Sequence, residues 1–229
     1  MNVLLFGATG MVGQGVLREC LLDPGVASVV SIGRSPTGVT DPKLREIVHA
    51  DLTSYAPIEP QLSGFDACFF CLGISSAGLN EEQYSRITYD ITLRAAETLA
   101  RLNPAPFNPN LTFVYVSGQG TDSSERGSIM WARVKGRTEN ALLRLPFKAA
   151  FMFRPGVIVP RFGARSRTAL YRIPYMLTRP LLPLLLRAFP NHVLTTDEIG
   201  QAMLLVARRG ASKPILETAD IRSLLNGNR

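Results

Sequence analysis

The sequence predicts an α/β protein: a doubly wound parallel sheet carrying a small C-terminal lobe. Three observations predict it. Short apolar runs rich in β-branched and aromatic residues recur along the first two-thirds of the chain without polar alternation, which suits strands covered on both faces. Amphipathic helical patterns separate these runs, and strand–helix alternation builds a parallel sheet through right-handed crossovers. The first run ends in a glycine cluster that leads directly into a helix.

Taken in order, the strand candidates are Val3 to Phe6, Val29 to Ile32, Ile47 to Ala50, Ala67 to Leu72, Leu111 to Val116 and Ala149 to Phe153. The helical patterns are Val12 to Leu22, then Glu81 to Leu102 with Ile87, Ile91, Ala95, Thr98 and Leu102 along one face, then Met130 to Leu145. Asp41-Pro42, Pro57 to Pro60, Pro104 to Pro109 and Arg154-Pro155-Gly156 mark loops. Both periodicities fade after Val159. They return at Thr196, expected to cap a helix to Arg209 that carries Ile199, Met203, Leu204 and Val206. The expected organisation is a core over residues 1–160 and a segment over 161–229 packed on it, not an independent domain.

With 229 residues, 46% of them hydrophobic and 19% charged, the chain has enough apolar surface for one large domain. The net charge is +7. No Asp or Glu occurs between Glu139 and Asp197, a stretch that holds Arg144, Lys148, Arg154, Arg161, Arg165, Arg167, Arg172, Arg179 and Arg187. Such a stretch faces something negative or water. Its interleaving with Leu, Pro and Ile instead of stacking aromatics, and the lack of any nucleic-acid motif, argue against nucleic acid as a partner.

Cys20, Cys68 and Cys71 are too few for a disulfide framework and suggest a reducing, cytoplasmic location. Cys68 and Cys71 form a C-x-x-C, but within a buried strand they point to opposite faces, so neither a redox pair nor a metal site is expected. His49 and His192 have no ligand-like spacing, and no metal is expected there. The N-terminus lacks the pattern of a signal peptide, so the mature protein is expected to start at Met1. The apolar stretch from Ile173 to Phe189 is broken by Pro174, Arg179, Pro180, Pro183 and Arg187 and should not span a bilayer. Its Leu181 to Leu186 cluster reads as a lid or subunit contact, with peripheral membrane contact kept as a lesser alternative.

The chemistry concentrates at strand ends. Gly7-Ala8-Thr9-Gly10-Met11-Val12-Gly13 joins the first strand to a helix. There, free backbone N–H groups face a pyrophosphate, and glycines stand where side chains would meet ligand or sheet. The alternative is a tight turn without ligand. The spacing is G-x-x-G-x-x-G instead of G-x-G-x-x-G. After the second strand, Arg34 stands where an acidic residue would hold the ribose 2′-hydroxyl of NAD. Its guanidinium suits a 2′-phosphate, which favours NADP(H) while leaving NAD(H) as an option.

These features resemble the short-chain dehydrogenase/reductase superfamily and its Rossmann-like fold, in particular the atypical and extended NAD(P)-binding members. Val114-Tyr115-Val116-Ser117-Gly118, the helix with Lys135, and Arg154-Pro155-Gly156-Val157-Ile158-Val159-Pro160 are similar to oxidoreductases related to the Tat-interactive tumour-suppressor protein, a group often described as epimerase/dehydratase-like. The resemblance implies that Asp51 and Leu52 lie against the adenine, against the alternative of a turn-capping Asp. It also implies that Cys71, Leu72 and Gly73 pass beneath the cofactor ribose, against that of a strand-ending glycine, and that Pro155, Gly156 and Val157 bind the cofactor. It makes Ser117 the residue that holds a substrate carbonyl and Lys135 the one that binds the nicotinamide ribose. The segment beyond residue 160, with Arg161, Arg165 and Arg167, becomes the side facing a small-molecule substrate. Those arginines either read an anionic substrate or solvate a loop.

One position departs from the pattern. The family places a tyrosine four residues before the lysine, and here that residue is Trp131, whose indole donates a hydrogen bond but is no acid at neutral pH. Three accounts stay open: another group such as Tyr84, Tyr89 or a water on Ser117 supplies the proton; the reaction differs; or the fold binds nucleotide without turnover, as a sensing or regulatory protein. A serine hydrolase and a P-loop enzyme find no motif.

Overall fold

A computed structural model describes residues 1–102, 111–164 and 192–227 of the chain. Strand β1 (Asn2–Phe6) leads into helix α1 (Met11–Leu22), followed by β2 (Ser28–Gly33), β3 (Leu44–Val48) and, after a short 3-10 turn, β4 (Ala67–Phe70). Helix α2 (Glu81–Ser85) runs through a π-helical turn (Arg86–Asp90) into α3 (Ile91–Leu102). Then come β5 (Thr112–Val116), α4 (Met130–Leu143), β6 (Ala149–Arg154) and β7 (Val157–Val159). The chain closes with β8 (Val193–Thr195), α5 (Thr196–Arg209), β9 (Ile215–Glu217) and α6 (Thr218–Asn226).

Seven strands form one sheet in the order β3-β2-β1-β4-β5-β6-β9, every neighbouring pair parallel. This is the Rossmann-like, doubly wound architecture. The order reverses between β1 and β4, which opens a crevice above the carboxyl ends of those two strands. Strands β7 and β8 pair in a separate parallel ribbon.

The period of two along each strand divides the core. Val3 and Leu5 of β1 face α1 and α5, with Val16, Leu17, Cys20, Ile199, Met203 and Val206 packed among them. Leu4 and Phe6 face the other layer, with Phe70, Phe113, Ala96 and Leu99. Burying each such side chain contributes about 1.5 to 3 kcal/mol, so two dry layers hold the sheet rigid beneath its loops. Cys68 belongs to one layer and Cys71 packs against the other, so the C-x-x-C does not form a pair.

Four local differences from the sequence reading have physical causes. Strand β3 starts at Leu44, because an edge strand tolerates exposed Arg45 and half-exposed Glu46, whose charges hide it in a hydropathy pattern. The π-helical turn shifts the phase of the long helix: Thr88 and Thr92 are buried, Ile87 is left exposed, and Ile91 packs partly against the core. Thr195, not Thr196, caps α5, forming a reciprocal capping box with Glu198. Finally, β9 was too short to stand out from its surroundings, yet it completes the sheet beside β6.

Helices α1 and α5 cross closely at small residues. A Cβ on Gly15 would lie 2.5 Å from Thr196 Cβ, and one on Gly200 would lie 2.9 Å from Glu19 Cγ. Among the described residues no helix is long and apolar enough to cross a membrane. The stretch from Ile173 to Phe189, with its Leu181 to Leu186 cluster, lies outside them.

Candidate functional site

Because every strand of the main sheet is parallel, the loops after β1, β2, β3, β4, β5 and β6 share one edge. That edge gathers the residues singled out in the sequence.

The β1–α1 turn is built from backbone. Gly7 has φ +81°, a left-handed conformation that L side chains rarely adopt, and a Cβ there would lie 2.7 Å from the carbonyl carbon of Cys71. Its carbonyl accepts the Gly10 amide at 2.9 Å and closes the turn. A Cβ on Gly13 would stand 2.1 Å from that same carbonyl oxygen, so this glycine lets the helix approach the strand. Gly10 is the N-cap of α1, in extended conformation and with no side chain capping the helix, and no acidic residue occupies the first turn. The first intrahelical bond is Gln14 N–H to the Gly10 carbonyl at 2.8 Å, which leaves the amides of Met11, Val12 and Gly13 directed off the helix end. Thr9 is held by its carbonyl, which accepts from Gln14 Nε2 at 3.0 Å.

A dinucleotide would fit here. An uncapped helix start with free amides and a positive dipole end suits a pyrophosphate. A Cβ on Gly10 would meet the Gly7 carbonyl oxygen at 3.3 Å and nothing else within 4 Å, and one on Gly73, beyond β4, meets nothing within 4 Å, so Gly73 borders open space. Arg34 is exposed beyond β2. Asp51 is exposed too, and its Oδ1 accepts from the Thr53 amide (2.9 Å) and hydroxyl (2.6 Å). The hydroxyl bond first, then the amide bond, hold its carboxyl below the usual range. Asp51 therefore does cap a turn, through Oδ1. The Leu52 side chain is buried in the core, and Leu72 packs partly into the same layer.

In the β5–α4 region, expected to be the reacting end, the Ser117 hydroxyl is oriented differently from expectation. Ser117 is buried, and the Phe153 carbonyl accepts both its amide at 2.9 Å and its hydroxyl at 3.1 Å. The hydroxyl is thus turned toward the sheet by the same carbonyl at the end of β6 that accepts its amide. The position that faces Lys135 is the next one, where a Cβ on Gly118 would lie 3.9 Å from Nζ. Lys135 Nζ donates to the Ser117 carbonyl oxygen. Burial pushes its ammonium down to about 8, against the opposing pull of the Glu139 carboxylate. The Trp131 indole lies over Gly120, whose Cβ would sit 3.4 Å from the ring. Tyr84 is buried in α2, and Tyr89 stacks under the Arg137 guanidinium 4.3 Å from its ring centre.

The β6 exit is pinned on both sides. The Pro155 carbonyl accepts the Gln119 amide at 2.9 Å, Gly156 N–H donates to Thr218 Oγ1 at 2.8 Å, and Val157 N–H donates to the His192 carbonyl at 2.9 Å.

Sequence reasoning missed the polar network below this end. Arg154 donates through Nε (3.0 Å) and Nη2 (2.5 Å) to the two oxygens of Glu139, which is fully buried, and reaches Glu217 at 3.3 Å and Ser123 at 2.5 Å. Arg154 belongs to the acid-free stretch, so the negative group it faces is inside the protein. Fifteen residues of separation gave no signal for the pair. Arg161 pairs with Asp197 at 3.3 Å and so is committed locally; Arg165 and Arg167 lie outside the described residues.

Fold and site together define a protein of the dinucleotide-binding α/β class. Residues 3–122 match the NAD dependent epimerase/dehydratase family, and the chain belongs to that family. Protein fmp52, mitochondrial, of Emericella nidulans is 28% identical over 69% of this chain and 66% of its own length. Protein HTATIP2 of Rattus norvegicus is 27% identical over 69% of this chain and 63% of its own, in line with the resemblance to Tat-interactive proteins. The chain thus matches just under two-thirds of these two relatives' lengths. Among solved structures, MoeE5 in complex with UDP-glucose and NAD aligns with a TM-score of 0.65 at 20% identity, over 94% of this chain and 75% of that one. The ADP-L-glycero-D-manno-heptose-6-epimerase of Helicobacter pylori aligns at 0.66 and 16% identity, over 99% and 81%. Both share the fold.

The expectation of a cytoplasmic location is corrected by these relatives, since the fungal ones, from Emericella nidulans and Scheffersomyces stipitis, are named as mitochondrial proteins. Unpaired cysteines report a reducing environment and do not distinguish one compartment from another.

Proposed function

We propose that the protein is an NADP(H)-binding oxidoreductase of the atypical short-chain dehydrogenase/reductase class acting on a small-molecule carbonyl compound. The uncapped start of α1 at the β1/β4 crossover supports this reading above all. The pyrophosphate is assigned to the amides of Met11, Val12 and Gly13 within the Gly7–Gly13 turn, and the 2′-phosphate to Arg34. Asp51 Oδ2 and the backbone of Leu52 meet the adenine, Cys71 to Gly73 the ribose, and Lys135 with Pro155 to Val157 the nicotinamide end. The bound dinucleotide supplies a hydride; the chain orients it and excludes water. Residues 1–160 form the cofactor-binding core, and the segment from 161 faces the substrate.

Calorimetry with NADPH and NADH tests the binding. Consumption of NADPH with 9,10-phenanthrenequinone as probe tests turnover. No heat with either dinucleotide would overturn the proposal.

Three observations favour a second reading, binding without turnover: the expected tyrosine is Trp131, Gly118 faces Lys135 with no side chain, and Ser117 is turned inward. Tight NADPH binding with no oxidation across a panel of aldehydes, ketones and quinones would select it.

A further inference from the structure

We propose that Lys135 is the proton donor of this site, taking the part that a tyrosine would play four residues earlier. The inference rests on the oxidoreductase reading above and deepens it.

Geometry leaves the ammonium facing the place where a substrate oxygen would stand. The Trp131 indole is laid over Gly120, the Ser117 hydroxyl is spent on the Phe153 carbonyl, and Gly118 presents no side chain, leaving space 3.9 Å from Nζ. The ammonium has three donor hydrogens, and the Ser117 carbonyl takes one of them. That carbonyl also fixes the direction of the side chain, as a general acid requires.

The surroundings of Nζ suit proton transfer near neutral pH. Glu139, one turn on, is the carboxylate whose charge acts on it, and Arg154 from β6 holds both oxygens of that carboxylate. The helical stretch packed against α4 brings Tyr84, Arg86, Tyr89 and Asp90, with Arg137 of α4 over Tyr89 and Arg133 of α4 paired to Glu81. Burial outweighs the pull of the Glu139 carboxylate and holds the lysine at about 8 instead of 10.5. An amine in that range donates and recovers its proton within the ordinary working pH, whereas an unshifted lysine gives it up reluctantly.

The step balances. The substrate carbonyl carbon accepts a hydride from the reduced dinucleotide, which is oxidised. The carbon–oxygen π pair moves to oxygen, and oxygen takes the proton from Nζ. The alcohol leaves, and water returns a proton to the neutral amine.

The chain has four lysines, Lys43, Lys135, Lys148 and Lys213, so a side-chain nitrogen NMR titration of the 15N-lysine-labelled protein resolves each of them. Lys135 should titrate near pH 8, and a Lys135 ammonium that titrates at its ordinary 10.5 would overturn the proposal. That readout needs neither cofactor nor turnover. The second arm uses Lys135→Arg, which keeps a positive charge but holds its proton at all working pH. At saturating NADPH it should lower 9,10-phenanthrenequinone reduction by about 10² to 10⁴. The parent rate should fall tenfold per pH unit above about 8. A Lys135→Arg rate within threefold of the parent, or a parent profile flat to pH 9.5, overturns the proton-donor role and leaves the oxidoreductase reading intact. Failure of the parent to bind NADPH overturns that reading instead.

Discussion

The two ends of the crevice are encoded differently. At the β1–α1 turn the work is done by backbone: three free amides, a left-handed Gly7, and glycines where a Cβ would meet the neighbouring backbone. At the β5–α4 end the work belongs to side chains, and there Trp131 stands where a tyrosine is expected, Ser117 is in place but gives its hydroxyl to the Phe153 carbonyl, and Lys135 is in place. A backbone site depends on glycine spacing and tolerates little change. A side-chain site can exchange one proton donor for another while the fold stays the same.

The strongest way to break the comparison is to disturb the support beneath the reacting end. Arg154→Leu strands the fully buried Glu139 without its partner, and such a change should cost about 3 to 5 kcal/mol in urea unfolding. The double variant Arg154→Leu with Glu139→Leu should recover most of that loss, since an apolar pair has no charge to desolvate. It would also remove the carboxylate that acts on Lys135. A double variant no better than the single would show that the network holds the fold by geometry and not by charge pairing.

The two glycines of the phosphate turn sharpen the contrast from the other side. Gly13→Ala places a Cβ 2.1 Å from the Gly7 carbonyl oxygen, and the overpacking should destabilise the fold by about 3 kcal/mol. Gly10→Val meets only a 3.3 Å contact at its Cβ, so circular dichroism should stay native while NADPH binding disappears, because the branches fill the space the pyrophosphate needs. Parent-like affinity in Gly10→Val would place the phosphates elsewhere.

How far each end was legible follows from the same contrast. The turn could be read because Gly7, Gly10 and Gly13 follow a β-branched run and precede a helix, and spacing alone carries that signal. Gly15 and Gly200 were not legible as a helix crossing, because the positions that they face, Thr196 and Glu19, are distant in sequence. Lys135 could be read from its helix, but the orientation of Ser117 could not: which way a strand-end hydroxyl points depends on the Phe153 carbonyl of the neighbouring strand. The burial of Arg154 against Glu139 was hidden for the same reason. The phase shift at Arg86–Asp90 was also invisible, since an amphipathic pattern assumes a constant 3.6-residue period.

Cofactor choice should show a smaller, selective effect. Arg34 is exposed and free to pair with a 2′-phosphate, so Arg34→Ala should weaken NADPH binding by about 1 to 3 kcal/mol, the scale of a charged hydrogen bond, and leave NADH nearly unchanged. Calorimetry with both dinucleotides gives the answer, and equal losses would remove Arg34 from the 2′-phosphate site.

The smallest expected effect is the most diagnostic, because it asks which group gives the proton. Trp131→Tyr puts a phenol one helical turn before Lys135, and the shorter ring leaves the space over Gly120 open to it. If Lys135 already supplies the proton, the new phenol adds little at pH 7, where the ammonium is still present. Above pH 8 the lysine is neutral, while a phenol with its ordinary pKa of about 10 remains protonated, so the variant should outrun the parent by about tenfold at pH 9. Stopped-flow oxidation of NADPH with 9,10-phenanthrenequinone from pH 6 to 9.5 separates the possibilities. A uniform gain at every pH would mean that the parent has no acid in place and Lys135 only positions the cofactor. A uniform loss would mean that the indole itself seats the substrate, and Tyr84→Phe and Tyr89→Phe would then be the next replacements to measure.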